Sequence, residues 1–573
     1  MFDLFSFGIN LYSKYILLFS YLFLLGRASD ILFTRYIFRG SKRKDSILET
    51  KSIIFYPIIG TIVFGNILIL INYFIELKSI SVFIISLLLL LPNLLDLNKI
   101  NITLNRIFSV ENAFLYIFIP GVLLISSSDI NFHYDAAYYH LNHQNWLRES
   151  NLIIGTVNIF WPFGMSSIFE YISSVLWLSN SLIYLHFLNI IYMHFLFSFL
   201  FIHLYKPKNQ NLKYASLLVL IFSFFDNFGL SGGRNGFIYI QEIGKQDTSL
   251  AILYFITSFL LLDRIQKKIA SKADVTYLSL LVFFIFEIKV SGVIIFLLYF
   301  ILLFTLLRNK KYRFKNILYL QIPTLLFGII WSIKSFLTTG CLIFPLSVTC
   351  NESFWWYEIG STERVEEYTT ATSFSYMEYF LSDSLNFVDW INDFFLSTEF
   401  STFSNYYLSV YTNFLITFVL ILLIKKIFFN SKALSSRFKV IITSYVFFSI
   451  LYLIFYGPIP RYSMGILCTM VGLVGFFIES EKIKIPKTFV IVLFIFSLGL
   501  FPRLSSYQNF LNNKDISLFD PRVEAQYSDI EIGENWVRPD SGDRCWINLK
   551  CTMEDKNIVI IDEDYFKVAY KED

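Results

Sequence analysis

Charge is scarce in this chain. Asp, Glu, Lys and Arg supply 16% of 573 residues, against about 25% in an ordinary soluble domain. Apolar residues fill the gap: 55% of the chain is hydrophobic, 65 residues are Phe, and mean hydropathy is +0.58. A water-soluble protein needs no such excess, so the composition gives a polytopic membrane protein. No internal repeat or disordered linker is present, which excludes a solenoid or tethered domains, and SGGRNG at 231–236 is the one glycine-rich spot. A His-Glu-x-x-His signature is also missing, so no zinc-protease helix is read. Arg364 is the sole Lys or Arg in residues 337–406, which argues against polysaccharide polymerases or ligases with arginine-rich outer loops. Most spans lack internal charge, with Glu170, Glu287 and Lys289 as exceptions, so no transport pathway is marked at mid-membrane depth.

Apolar runs long enough to cross or nearly cross a hydrocarbon layer of about 30 Å begin near Ile9, Ile53, Ser79, Ala113, Leu182, Ala215, Ser249, Val290, Ile317, Tyr407, Val440, Ser463 and Thr488. Two shorter runs, 166–178 and 277–287, read as partial spans. The loop after the first run carries Arg27, Arg35, Arg39, Lys42, Arg43 and Lys44, which the positive-inside rule places in the cytoplasm. The first run then reads as an uncleaved anchor with its N-terminus outside. Alternation from there keeps further basic loops cytoplasmic, if 166–178 is an outer half helix and EIKVSG the turn of a hairpin. The loops 128–160, 230–247 and 337–406 and the segment from Arg503 become extracytoplasmic. Two units are expected: a membrane domain over 1–502 and a small polar segment over 503–573. In the latter KNIVIIDEDYFKVAY alternates like a strand. That segment is either a structural lid or an acceptor guide.

Cysteine placement agrees with this topology. Cys341 and Cys350 share one outer loop, Cys545 and Cys551 share the C-terminal segment, and each pair is either a short disulfide or two thiols.

Titratable groups crowd one outer stretch, SSDINFHYDAAYYHLNHQNWL at 127–147. From Asp135 it can form a helix in the interface, with Tyr138, Tyr139 and Trp146 at headgroup depth. Asp135 is either that helix's N-cap or a carboxylate positioned to take a proton from an attacking hydroxyl; Asp129 is the second candidate. His140 and His143, three residues apart, either share a metal with His133 and a carboxylate or hydrogen-bond backbone and headgroups. On the same outer side lie Lys245 and Asp247 in GKQDTSL, Lys334 ahead of a Gly and Pro turn, and Arg461 with Tyr462 in YGPIPRYSMG. A cation near this face is costly unless partnered, by headgroups, by the acidic loop, or by a phosphate that Arg grips bidentately. Trp355 and Trp356 suit either stacking on sugar rings or anchoring at the interface.

The order of YDAAYYHLNHQNWL, KSFLTTGCLIFPL and a late PRY, all on one side, resembles the GT-C superfamily of integral-membrane glycosyltransferases over most of residues 110–470. DRCWINLKC with PRYSMG is similar to a group of uncharacterised bacterial membrane proteins within it. The resemblance implies an all-α, GT-C-like helix bundle with outer loops and inverting sugar transfer in the bacterial cell envelope. The donor would be a polyprenyl-phosphate sugar, the acceptor a glycan, lipid or protein, and no nucleic acid is involved. It also implies Asp135 as base, or Asp129 in its place, with Arg461, Tyr462 and Lys334 at the donor phosphate. Many members carry an acidic pair where Asp135 is followed by Ala136, which leaves base identity and a divalent metal open. A polymerase, a flippase or a non-catalytic assembly protein is the alternative.

Overall fold

The computed structural model describes residues 2–38, 52–96, 109–127, 132–177, 182–225, 240–375, 401–456, 459–479, 485–499, 504–512, 527–529, 536–539, 542–554, 557–563 and 565–572. Asp129 lies outside them. The described chain is mostly helical, in the order α1 (Phe2–Tyr36), α2 (Ser52–Asn72), α3 (Ile80–Leu88), α4 (Val110–Ser126), α5 (136–149), α6 (Ile168–Ser174), α7 (His186–Tyr205), α8 (Gln210–Phe225), α9 (Asp247–Lys267), α10 (Lys272–Ile288), α11 (Ile295–Arg308), α12 (Phe314–Leu320), α13 (Ile322–Thr339), α14 (Ser361–Ser375), α15 (Ser401–Phe428), α16 (Ser436–Tyr456), α17 (Pro460–Phe476), α18 (Lys487–Gly499) and α19 (Leu504–Asn512).

Among the described residues eight helices are long and apolar enough to cross a membrane: α1, α2, α7, α9, α11, α13, α15 and α16, where α7 and α11 extend back to Ile183 and Val290. The chain is an integral membrane protein. Five expected spans fall short, among them α8 with 16 described residues and α17 with 17. α3 has 9 residues, rising about 14 Å, and gives way to a tighter turn, Leu91–Asp96, containing Pro92. α4 carries a π-turn at Phe114–Phe118 followed by Pro120, and α18 has 13 residues. The 166–178 run forms only the short buried helix α6, and EIKVSG is the turn joining α10 to α11.

Apolar faces pack inward over one large core that runs through the helices from α1 to α18. α17 seats closely because it presents glycines: a Cβ at Gly472 would lie 1.9 Å from the Phe259 ring, and one at Gly475 2.4 Å from the Ala215 backbone. Small residues let helices approach where lipid offers no hydrophobic drive. This seating fixes the start of α17, where Arg461 stands.

The chain is not wholly helical. Two short strands, β2 (Tyr527–Asp529) and β3 (Val537–Pro539), pair antiparallel, and β4 (Asn557–Glu563) and β5 (Phe566–Glu572) form a hairpin. β5 also pairs in parallel with β1 (Ile153–Ile154), so the C-terminal segment is stitched to the loop after α5. Trp536, Ile558 and Ala569 share a small core with Ile153, Ile159 and Phe163. Both cysteine pairs, Cys341–Cys350 and Cys545–Cys551, are disulfides, and Cys468 is a buried thiol.

Candidate functional site

Helix ends converge at one end of the bundle: the starts of α5, α9 and α17 and the ends of α10 and α13. Asp135 stands at the head of α5, but its side chain makes no capping bond. The Nδ1 of His133 accepts from the Asp135 N–H at 3.0 Å instead, and lies 3.4 Å from its Oδ1. Asp135 Oδ2 is ion-paired with Lys245.

Gly244 makes that pairing possible. Its φ of +92° is one that L side chains rarely adopt. A Cβ there would lie 2.8 Å from Ala136 Cβ and N. The His133 N–H donates to the Ile243 carbonyl at 3.0 Å, drawing the loop against α5 and setting Lys245 over Asp135. Ala136 is fully buried under this contact. A larger side chain at 136 would meet this loop, so the position holds alanine.

Asp247, the first residue of α9, accepts from Lys289 Nζ at 2.6 Å across the α10–α11 turn. The Lys289 Nζ also lies 4.6 Å from the centre of the Tyr462 ring, and the Arg461 guanidinium 5.2 Å from the same centre. Arg461 acts electrostatically on Lys245, Asp247 and Tyr139. Asp135, Lys245, Asp247, Lys289, Arg461 and Tyr462 are thus one group, with three cations against two carboxylates. Burial alone would raise the Asp135 carboxyl, but the adjacent His133 imidazole and the Lys245 ammonium outweigh burial and hold it well below the usual carboxylate range. Burial and the Arg461 charge draw Lys245 down from its ordinary value. Burial, with Asp135 and Glu170 nearby, pushes the Tyr139 phenol well up, keeping it a neutral hydroxyl. The cavity beside Asp247, Arg461 and Tyr462 is about 10 Å³, the size of one water.

Lys334 is not in this group. Its ammonium, 1% exposed, donates to the Ser166 carbonyl at 2.7 Å and lies 4.2 Å from the centre of the Trp331 ring. The buried face of α13 turns it against the start of α6, where Glu170 and Glu287 act on it electrostatically. Glu170 is the centre of this second group. A π-turn at Ala136–His140 shifts the phase of α5, and His140 and His143 then face one carboxylate, their Nδ1 atoms bonded to Glu170 Oε1 and Oε2. Burial opposes ionisation of Glu170, yet the two imidazoles prevail and hold its carboxyl down at about 2. Asn66 Nδ2 donates to Glu287 at 3.1 Å. Among the described residues no cluster of three or more His, Cys, Asp or Glu side chains is arranged to hold a metal ion.

The tryptophans divide. Trp356 is buried with Cys341, Phe344 and Val568, whereas Trp355 is 63% exposed and meets Tyr570 edge-on at 5.4 Å. The Cys545–Cys551 loop lies along α5: the Trp546 N–H donates to the Ala137 carbonyl at 2.8 Å and Asn145 Nδ2 to the Ile547 carbonyl at 2.8 Å. On the flank of the bundle a cavity of about 640 Å³ lies between α10, α11 and α13, lined among others by Phe283, Phe286, Phe300, Leu325 and Trp331. Phe286 lines it, and Lys289, just past the end of the same helix, pairs with Asp247.

Sequence reasoning had Glu170 and Lys289 only as charges out of place in apolar runs, and had neither Gly244 nor Ala136 as site-forming. The signal for Glu170 was there: one buried carboxylate and two histidines at i and i+3.

The family model described as Domain of unknown function (DUF8201) matches residues 10–468, and the chain belongs to that family. No curated protein and no solved structure matches it.

Proposed function

We propose that this member of the family is a GT-C-like membrane glycosyltransferase, moving a sugar with inversion from a polyprenyl-phosphate-linked donor to a glycan, lipid or protein acceptor. We place the reaction at the extracytoplasmic face of a bacterial membrane. The observation that carries the reading is the group around Asp135. A carboxylate shares one partly open, net cationic cluster with Lys245, Lys289 and Arg461, where helix ends meet. The basic loops on the opposite side support the sidedness, and the lateral apolar cavity suits a lipid-linked donor.

In this reading the acceptor hydroxyl attacks the anomeric carbon from the face opposite the phosphate. Asp135 takes its proton, a contribution of roughly 10² to 10⁴ in rate. The bond from carbon to phosphate oxygen breaks, and the electron pair leaves with the polyprenyl phosphate. Arg461 and Lys289 stabilise the charge arriving on that phosphate. Lys245 couples the two events. While it pairs with Asp135 the carboxylate is a weak base; a donor phosphate competes for the ammonium, and loss of the pair raises the carboxylate's proton affinity. Lys334, held by Ser166 and Trp331, belongs to the packing beneath the site and not to the donor phosphate, and Arg461 with Tyr462 keeps the donor-phosphate role.

Purified protein in nanodiscs, incubated with a panel of polyprenyl-phosphate sugars and glycan acceptors, tests this. Transfer by the native chain, lost in Asp135→Asn and strongly reduced in Arg461→Ala, is expected. Full turnover by both variants overturns the site, and no turnover with any donor favours a non-catalytic assembly protein.

A further inference from the structure

We infer that the hairpin Cys341–Cys350 is a membrane-inserted finger, dipping into the leaflet on the Asp135 side at the mouth of the lateral cavity. Continuity with a lipid-facing surface carries the inference. Leu325, Leu326, Ile329 and Ile333 form an exposed stripe along α13, at the spacing of one helix face. The stripe does not stop where Gly340 ends the helix: Leu342, Leu346 and Val348 continue it at 50, 39 and 90% exposure. Residues 340–351 contain no charged side chain.

Backbone exposed to hydrocarbon must satisfy its own polar groups, and this hairpin largely does. The Leu342 N–H donates to the Thr349 carbonyl at 3.2 Å, Leu346 N–H to Ile343 at 2.9 Å, and Cys350 N–H to Ser347 at 2.9 Å. Thr349 Oγ1 accepts from the Ile343 N–H at 3.1 Å and bonds back to the Ile343 carbonyl at 3.0 Å. The disulfide closes the base, and Phe344 is buried against the protein, so the apolar tip faces outward on a rigid support. Glu366 accepts from the Ser347 N–H at 3.0 Å, and a carboxylate so close sets the depth at the boundary of headgroups and chains. Leu342 and Ile343 line the lateral cavity, so a lipid chain entering it from this leaflet passes the finger. The inference does not depend on sugar transfer.

The test attaches an environment-sensitive nitrobenzoxadiazole dye at Val348→Cys in proteoliposomes of phosphatidylcholine and phosphatidylglycerol, with Leu342→Cys as a second site and exposed Lys550→Cys for comparison. Lipids carrying a nitroxide near the headgroup should quench the Val348 and Leu342 dyes about twofold, and aqueous iodide should quench them several-fold less than the Lys550 dye. Dyes at 348 and 342 that respond to both quenchers as the Lys550 dye does would overturn the finger.

Discussion

Asp135 and Glu170 are two carboxylates at and beside one short helix, each facing basic side chains, and their surroundings have little else in common. Asp135 keeps 27% of its side chain exposed and belongs to a group in which positive charge is in excess. Glu170 is 2% exposed, with both oxygens taken by His140 and His143 and Lys334 close by. A charge sealed with its partners has nothing left to offer a substrate, and removing one partner leaves another buried and uncompensated. A charge at an opening, paired with a cation that a phosphate can draw away, has something left to give. On the proposed function, the same residue types are architecture in one place and chemistry in the other.

If that division holds, Asp135→Asn has the largest effect on rate: kcat falls by about 10² to 10⁴, while the unfolding temperature in detergent falls less than in Glu170→Gln, because the half-open Asp135 leaves Lys245 less sealed from water than Glu170 leaves its partners. Glu170→Gln should do the reverse, costing about 3–5 kcal/mol of stability, read by thermal unfolding. Its pH dependence sharpens the contrast. The Glu170 carboxyl is held at about 2, below its ordinary 4.5. The stability it contributes is therefore full above 4.5 and lost as pH falls toward 2, and the native chain should lose that increment there while Glu170→Gln does not. Arg461→Ala should lower kcat/KM by about 10² to 10³, measured with a lipid-linked donor. Lys289→Met should be mildest, raising the donor KM about tenfold with a smaller fall in kcat.

The membrane class, most of the long helices and the α10–α11 turn could be read from apolar run length and the charges between runs. α3 and α4 were not legible as short, because Pro92, Pro120 and the π-turn in α4 act on backbone geometry rather than on hydropathy. Asp135, Arg461, Lys245 and Asp247 were all visible as polar groups at span ends, but which of them meet was not. Lys334 illustrates why: its place in the sequence suits a phosphate ligand, and only the rotation of α13 about its axis decides that it faces Ser166. Gly244 and Ala136 carry meaning only as a pair in contact across more than a hundred residues. The strands of the C-terminal segment were legible in their alternation, while the partnership of β5 with β1 was not.

The most direct test is equilibrium binding of a polyprenyl phosphate to the folded fraction of the native chain, Arg461→Ala and Lys334→Met in nanodiscs. The account predicts that Arg461→Ala weakens binding by about tenfold or more, while folded Lys334→Met binds like the native chain. Binding lost in Lys334→Met and kept in Arg461→Ala would contradict it.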